Sequence, residues 1–528
     1  MTKNETDLIE DEQREILHET APRPRHHPAP VKPHPSAVEK YFFLATFVAA
    51  VSAITVLVIA ADECRQCFQK AAEDEPAPAT SSGPRKSFRA YGRTPDVAHL
   101  REVFAVLERL GYRRSGDNGS DWDLLWAHDY PFSRLYDELA DLKDHQRVNH
   151  FPGCGHITNK VSLATSGLPF IPPAFKLPVD KEKLLGYAKR HPNVTFVQKN
   201  NDHRHVTIKN PSEINLDEEG TFLQEYVDKP LLVNGHRFDI GIYAVITSVE
   251  PLRLYIYNGE GLLRFCPVKY HPFDPKIVDK YVVGDDYLPV WEVPAFDYYY
   301  NTLGLGMRDT LDAYLRSQSR DPAVIWQQTE EAIRGVVLAK ESQIVEALKR
   351  FKSKRNFFEL VRFDFVIDEN LKVYLLEANM SPNLSSAHFR PNKLLYQQVL
   401  YNVLGLVGIG ENIYRNSLAV RSKSEEDMIA SDKTIAVFPD ICNSNACRSS
   451  CMSLECQLCK NCLAPETRAV LVEAAKEHFR RGDCKRLFPP LMTQEQVYKG
   501  INIETYSPEN QLLYRWFQGK CLLDASWC

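Results

Sequence analysis

Two acidic residues and an amide stand where their types and spacing could hold a divalent cation. VRFDFVI (361–367), the turn DEN and VYLLEAN (373–379) read as a β-hairpin, because apolar residues alternate through both arms. In the second arm Val373, Leu375, Glu377 and Asn379 share one face. With Glu369 and Asn370 as a two-residue loop, Asp364 lies opposite Leu375 and diagonal to Glu377, so that Asp364, Glu377 and Asn379 form one cluster. Mg²⁺ favours such hard oxygen ligands and commonly binds through one or two carboxylates plus substrate phosphates. A hairpin whose acids simply face water accounts for the same pattern equally well.

Three more strands are expected upstream: HRFDIGIYAVI (236–246), LRLYIY (252–257) and LLRFC (262–266). In the first, Phe238, Ile240, Ile242, Ala244 and Ile246 point one way, and Arg237, Asp239, Gly241 and Tyr243 the other. The turn NGEG (258–261) is expected to close the second and third strands as a hairpin, which puts Arg264 on the same sheet. Charged residues on the open face of a sheet are ordinarily just solvated, so this arrangement alone specifies no chemistry.

These elements need a scaffold, and 528 residues, 44% of them hydrophobic, are enough for two or three domains. That composition excludes a wholly disordered chain. With 69 acidic against 64 basic residues there is no bulk electrostatic case for binding nucleic acid. Residues 1–40 are Pro-rich and expected to be a disordered tail. Residues 41–61 carry no charge and match one transmembrane helix, at about 1.5 Å rise per residue across a hydrocarbon core roughly 30 Å thick. Residues 62–95 have the composition of a linker, and a small α/β unit is expected over 96–180. It opens with a helix capped by Asp96 and ended by Gly111. His150, Cys154 and His156 in its Gly-punctuated stretch read as a structural loop leading to a helix in preference to a metal site. Arg23, Arg25, Lys32 and Lys40 precede the apolar run, whereas only Arg65 and Lys70 follow it closely; this places the C-terminal body on the lumenal or extracellular side. Sequons at Asn118 and Asn193 fit that side.

Nine of thirteen cysteines lie between Cys442 and Cys528, so residues 430–528 are expected to be a stapled tail. Disulfides are expected in an oxidising compartment, or Zn²⁺ held by CQLCKNC in a reducing one. The odd count leaves one thiol for Cys154, Cys266 or another chain.

Taken together, VNHFPGCGHITNK, QEYVDKPLLVNGHRFDIGIYAVITSVEPLRLYIYNGEGLLRF and FFELVRFDFVIDENLKVYLLEANMSPNLS resemble the tubulin tyrosine ligase-like family over roughly residues 147–400. The resemblance implies an α+β chain with the ATP-grasp fold, its central lobe at 181–245 and its C-terminal lobe at 246–410, following the α/β unit and the membrane helix. It implies a ligase that uses ATP and Mg²⁺ to join an amino acid to a carboxylate of tubulin; the FPG loop and the LLEANMSPNLS ending are most similar to the polyglutamylases, which add free glutamate. Asp364, Glu377 and Asn379 would then hold Mg²⁺, and Lys199 the ATP phosphates. Gln224, Glu225, Tyr226 and Val227 would line the adenine, Arg264 would face the terminal phosphate, and Arg237 with Asp239 would meet nucleotide and acceptor.

The chain also departs from the family pattern. No glycine follows Lys199 in NNDHRHVTI, Gly241 stands where an arginine is expected, Arg237 where a lysine is usual, and the Thr-Asn motif after Arg264 is missing. A weakened enzyme, or a nucleotide-binding protein without turnover on the lumenal or cell-surface side, is the competing expectation. Tubulin is cytosolic, so the substrate and the charge count around the apolar run point to opposite sides of a membrane.

Overall fold

A first sheet is entirely parallel, in the order β2-β1-β3-β4, from β1 (Ser87–Tyr91), β2 (Arg113–Arg114), β3 (Leu124–Ala127) and β4 (Arg147–Val148). The computed structural model describes residues 86–92, 98–116, 121–200, 207–209, 211–410 and 429–528. The tail 1–40, the apolar run 41–61, Asp96 and Asn118 lie outside the described residues. Among the described residues no helix is long and apolar enough to cross a membrane. Helix α1 (Arg101–Arg109) buries Val103, Val106 and Leu107 at helical spacing, and Gly111 ends it at φ +84°, a conformation that favours glycine. Ser87–Tyr91 lies inside the stretch expected to be linker; Phe88 within it is fully buried, so the folded body begins earlier than the composition indicates.

The second sheet is antiparallel, in the order β5-β8-β6-β7, from β5 (Ala174–Lys176), β6 (Phe196–Asn200), β7 (Thr207–Lys209) and β8 (Thr221–Glu225). Helix α2 (Lys181–Arg190) packs on it through Leu184.

The third sheet is built around the 14-residue strand β10 (His236–Val249), with β9 (Leu232–Val233) paired to its start. Along one edge lies β14 (Glu359–Ile367), followed by β15 (Val373–Asn379). On the other edge β12 (Leu262–Phe265) pairs with residues 238–241 of β10, and β11 (Leu252–Tyr257) with residues 244–249. The expected hairpin between 252–257 and 262–266 is therefore not formed: the two strands lie in tandem on β10. The NGEG segment joins them, and the Glu260 carboxylate accepts the backbone N–H groups of Met307 and Arg308 at the start of α3 (Met307–Ser317). The sheet ends in β13 (Leu288–Pro289) beside β12 and β16 (Cys484–Phe488) beside β11. Helix α4 (Ala323–Leu348) lies against it, burying Ile325, Ala332, Ile333, Val336, Val337 and Ile344. Gly153 of the FPG loop holds φ +83°, and a side chain there would meet the Ala347 Cβ of α4 at 2.8 Å.

Helix α5 (Lys393–Leu406) leads to a C-terminal region with its own core, where α6 (Pro465–Arg480) and α7 (Pro508–Leu523) enclose Leu471, Ala474, Trp516, Phe517 and Trp527. This region is fused to the third sheet through β16, through the buried Arg253–Glu477 ion pair at 2.9 Å, and through Asn510, which accepts from the Leu252 N–H at 2.7 Å. Disulfides join Cys442 to Cys459, Cys447 to Cys456, Cys451 to Cys462 and Cys521 to Cys528. The Zn²⁺ alternative for the tail is overturned, because every cysteine of CQLCKNC is consumed by a disulfide. The unpaired tail thiol is Cys484, buried in β16.

Candidate active site

The hairpin β14–β15 forms with a different register from the expected one. Its ladder runs Ile367↔Val373, Val366↔Tyr374 and Phe365↔Leu375, then shifts at a bulge so that Asp364 faces Glu377 directly and Arg362 faces Asn379. The loop is longer than two residues, with Leu371 at φ +64°, and Leu376 is the extra residue of the bulge. The bulge reverses the side-chain parity of β15. Val373, Leu375 and Ala378 enter the core, whereas Leu376, Glu377 and Asn379 face a cleft. The expectation that Val373, Leu375, Glu377 and Asn379 share a face is thus corrected, and the three oxygen-bearing residues still meet. The Asn379 Nδ2 donates to Asp364 Oδ2 at 3.0 Å and to Glu377 Oε1 at 3.2 Å.

On β10, Arg237 and Asp239 face the same cleft, of about 730 Å³. Strand pairing sets Arg264 opposite Asp239, and its Nε and Nη2 bind the two carboxylate oxygens at 2.9 and 2.8 Å. The same Nη2 reaches Asp364 Oδ2 at 3.1 Å, which ties the two acids together. Burial and the nearby Asp364 carboxylate push the Asp239 pKa up to about 6 against the pull of Arg264. The Arg237 guanidinium lies 5.0 Å from the Tyr226 ring centre, and its Nη1 is buried with no partner among the described residues. A buried, unsatisfied cationic donor in an open cleft suits an anionic ligand.

Lys199 and Gln224 come from neighbouring strands β6 and β8, and the Lys199 Nζ donates to Gln224 Oε1 at 2.9 Å. Burial lowers the Lys199 pKa to about 8, Glu377 opposing. Tyr226 and Val227 line the cleft beyond β8, and Glu225 lines it while accepting a hydrogen bond from the Tyr187 hydroxyl. The segment after Lys199 that lacks glycine, residues 201–206, lies outside the described residues.

Two cations of the cleft escaped the sequence reading. Lys160 Nζ approaches Glu377 Oε2 at 3.2 Å. Burial would raise the Glu377 pKa, yet Lys160, the Asn379 amide, Arg362 and Lys199 hold it well below the usual carboxylate range. Lys160 sits in the helix Lys160–Ala164 and closes the motif VNHFPGCGHITNK, the one sequence signal that could have found it. Arg362 clasps Asp364 with Nε at 2.6 Å and Nη2 at 2.8 Å. It was legible in principle, because it alternates with Asp364 on β14. Its stem packs over Gly241: a Cβ there would stand 2.9 Å from Arg362 Cδ. The arginine missing from position 241 is thus matched by a guanidinium from the adjacent strand.

Away from the cleft, the cluster of His150, Cys154 and Glu359 brings three possible metal-ligand atoms within 4.8 Å of one another. Its hydrogen bonds are already committed: His150 Nδ1 pairs with Glu359 Oε1 at 2.8 Å and Nε2 with the Ala127 carbonyl at 2.8 Å, while Glu359 Oε2 accepts from the Phe151 N–H. It is a buried polar network joining the FPG segment to β14.

Hard oxygen donors face five cationic side chains in a cleft lined by strands of two sheets, an arrangement that can take a divalent cation and an anionic ligand together. The pattern of the tubulin-tyrosine ligase family matches residues 138–413. The "Probable tubulin polyglutamylase ttll-15" of Caenorhabditis elegans is 41% identical over 444 residues, covering 82% of this chain and 84% of the relative. The mouse "Tubulin polyglutamylase TTLL6" is 27% identical over 58% of this chain, which spans 39% of it; the human "Tubulin polyglutamylase TTLL5" is 30% identical over 54%, spanning 23% of it. The chain belongs to the tubulin-tyrosine ligase family.

Proposed function

We propose that this ATP-grasp body joins the amine of free glutamate to a glutamate side chain of an acceptor polypeptide, with tubulin the acceptor that the names of its relatives suggest. The observation that carries this is the bulged register of β14–β15, which gathers Asp364, Glu377 and Asn379 beside Lys199, Arg237 and Arg264. Their oxygens would hold Mg²⁺, which would supply charge neutralisation at the phosphates. Lys199 would contact phosphate oxygens, Gln224, Glu225, Tyr226 and Val227 would line the adenine, and Arg264 would meet the terminal phosphate. Arg237 and Asp239 would meet nucleotide and acceptor.

A carboxylate is a poor electrophile. In this reading the acceptor carboxylate oxygen attacks the terminal phosphorus and ADP leaves. The glutamate amine then attacks the acyl carbon, phosphate leaves, and the nitrogen loses a proton. The cations spread the phosphoryl charge, and the cleft walls exclude water from the acyl phosphate. The apolar run 41–61 would anchor the body to a membrane.

One observation favours a second reading, a nucleotide-binding protein without turnover: Asp364 already accepts from Arg362, Arg264 and Asn379, which crowd the cation's place. Purified residues 83–528 with ATP, Mg²⁺ and labelled glutamate are expected to label purified tubulin, and Glu377→Gln to abolish labelling while the melting temperature is retained. Mg²⁺-dependent ATP binding with no labelling above background by either wild type or variant would leave the binding protein alone standing.

A further inference from the structure

Residues 442–462 bury one apolar side chain, Leu458, in the C-terminal core, with Leu454 against it, and have no apolar core of their own. Apart from Leu458, the buried side chains are Cys447, Cys456 and Cys459, with Cys442 against them, while Arg448, Ser449, Ser450, Met452 and Ser453 are exposed. Three disulfides within 21 residues replace a hydrophobic core, as in small secreted modules that cannot build one. Such bridges form and persist in oxidising compartments and are kept reduced in the cytosol. The remaining thiols agree: among the described residues the free cysteines are Cys154, Cys266 and Cys484, and all three are buried.

The bridged region shares a compartment with the cleft. Strand β16 completes the sheet that carries Asp239 and Asp364, and the Arg253–Glu477 pair is buried at the junction. Residues 411–428, which connect them in sequence, include Glu411, Arg415, Arg421, Lys423, Glu425, Glu426 and Asp427, too many charges for a membrane crossing. Independently, basic residues cluster before the apolar run 41–61, which directs the following chain away from the cytosol. On that side Asn193 becomes an acceptor for glycosylation. It is exposed in a turn between α2 and β6 and heads the sequence Asn193-Val194-Thr195.

We infer that the whole body folds on the oxidising, lumenal or extracellular side of a membrane and carries an N-linked glycan on Asn193. Resting on the ligase reading above, its acceptor is then a carboxylate-bearing polypeptide of that compartment, and cytosolic tubulin does not meet the cleft in the cell.

The test uses the full chain expressed in animal cells. N-glycosidase is expected to increase its mobility, part of the shift disappearing in Asn193→Gln and Thr195→Ala and persisting in Thr195→Ser, which keeps the sequon. In denatured lysate, a maleimide polymer is expected to leave the cysteines of 442–462 unlabelled until reductant is added. A shift unaffected by Asn193→Gln would overturn the glycan site, and labelling of those cysteines without reductant would overturn the compartment. The ligase reading fails separately: a glycosylated, bridged chain that transfers no glutamate removes the ligase and leaves the topology. A reduced, unglycosylated chain that labels tubulin does the reverse.

Discussion

In the cleft, side chains of opposite charge are held at hydrogen-bond distance by strand register: Arg264 faces Asp239 across β10 and β12, and Arg362 clasps Asp364 within β14. Residues 442–462 have no strand and no apolar core of their own, only Leu458 reaching the C-terminal core, and three covalent bridges join the chain across them. The contrast separates two means of fixing geometry. A sheet can place charges precisely, since β10, β14 and β15 pack on helix α4 and β12 on helix α3, and the cost of burying ions is met by paired partners. A short polar segment has no such interface, and cross-links limit its unfolded state instead.

The largest expected break in this contrast lies at Gly241 and Arg362. Arg362→Ala removes the bidentate partner of a carboxylate that is 2% exposed, and glutamate transfer is expected to fall on the order of 100-fold. Gly241→Arg alone would drive its Cβ into the Arg362 side chain and is expected to lose activity as well. The exchange Gly241→Arg with Arg362→Gly returns one guanidinium to the same space, and a double-mutant cycle in kcat is expected to show recovery relative to either single change. Additive losses would show that the two positions act separately.

Reduction is expected to act on the other side of the comparison. Losing a native disulfide in a small secreted domain costs about 2–5 kcal/mol. Hydrogen exchange after mild reduction should therefore rise across 442–462 while the backbone of β10 and β14 stays protected. Equal loss of protection in both would mean that the bridged segment supports the cleft.

The smallest effect is a pH dependence in the C-terminal core. His478 stacks on Trp527 with ring centres 3.6 Å apart. Burial, with Arg481, Arg486 and Lys520 beside it, pushes its pKa down to about 3 despite Asp524. Its folded value lies below the unfolded 6.5, so its share of stability is complete above pH 6.5 and is lost as pH falls toward 3. Melting temperatures of wild type and His478→Phe are expected to converge above pH 7 and to separate below 6.5, the variant declining less.

Much of this was legible in the residues. Alternation marked β10, β14 and β15, and the quoted motifs carried the family. Other features were not. The bulge at Leu376 has no sequence mark, yet it decides which face Glu377 occupies; the tandem placement of β11 and β12 depends on the length of β10; and Lys160 reaches Glu377 from another element. Cysteine spacing foretold staples but left both the chemistry and the pairing open.

By itself the sequence determined the types of group at the site, because hard oxygens, guanidiniums and apolar periodicity are properties of residues and their spacing. Only the tertiary structure decided that Asp364 faces Glu377, that Arg362 lies over Gly241, and that the bridged tail completes the sheet of the cleft. Register, packing across strands and contacts between distant segments are settled by the competition of long-range interactions, and no local spacing encodes its outcome.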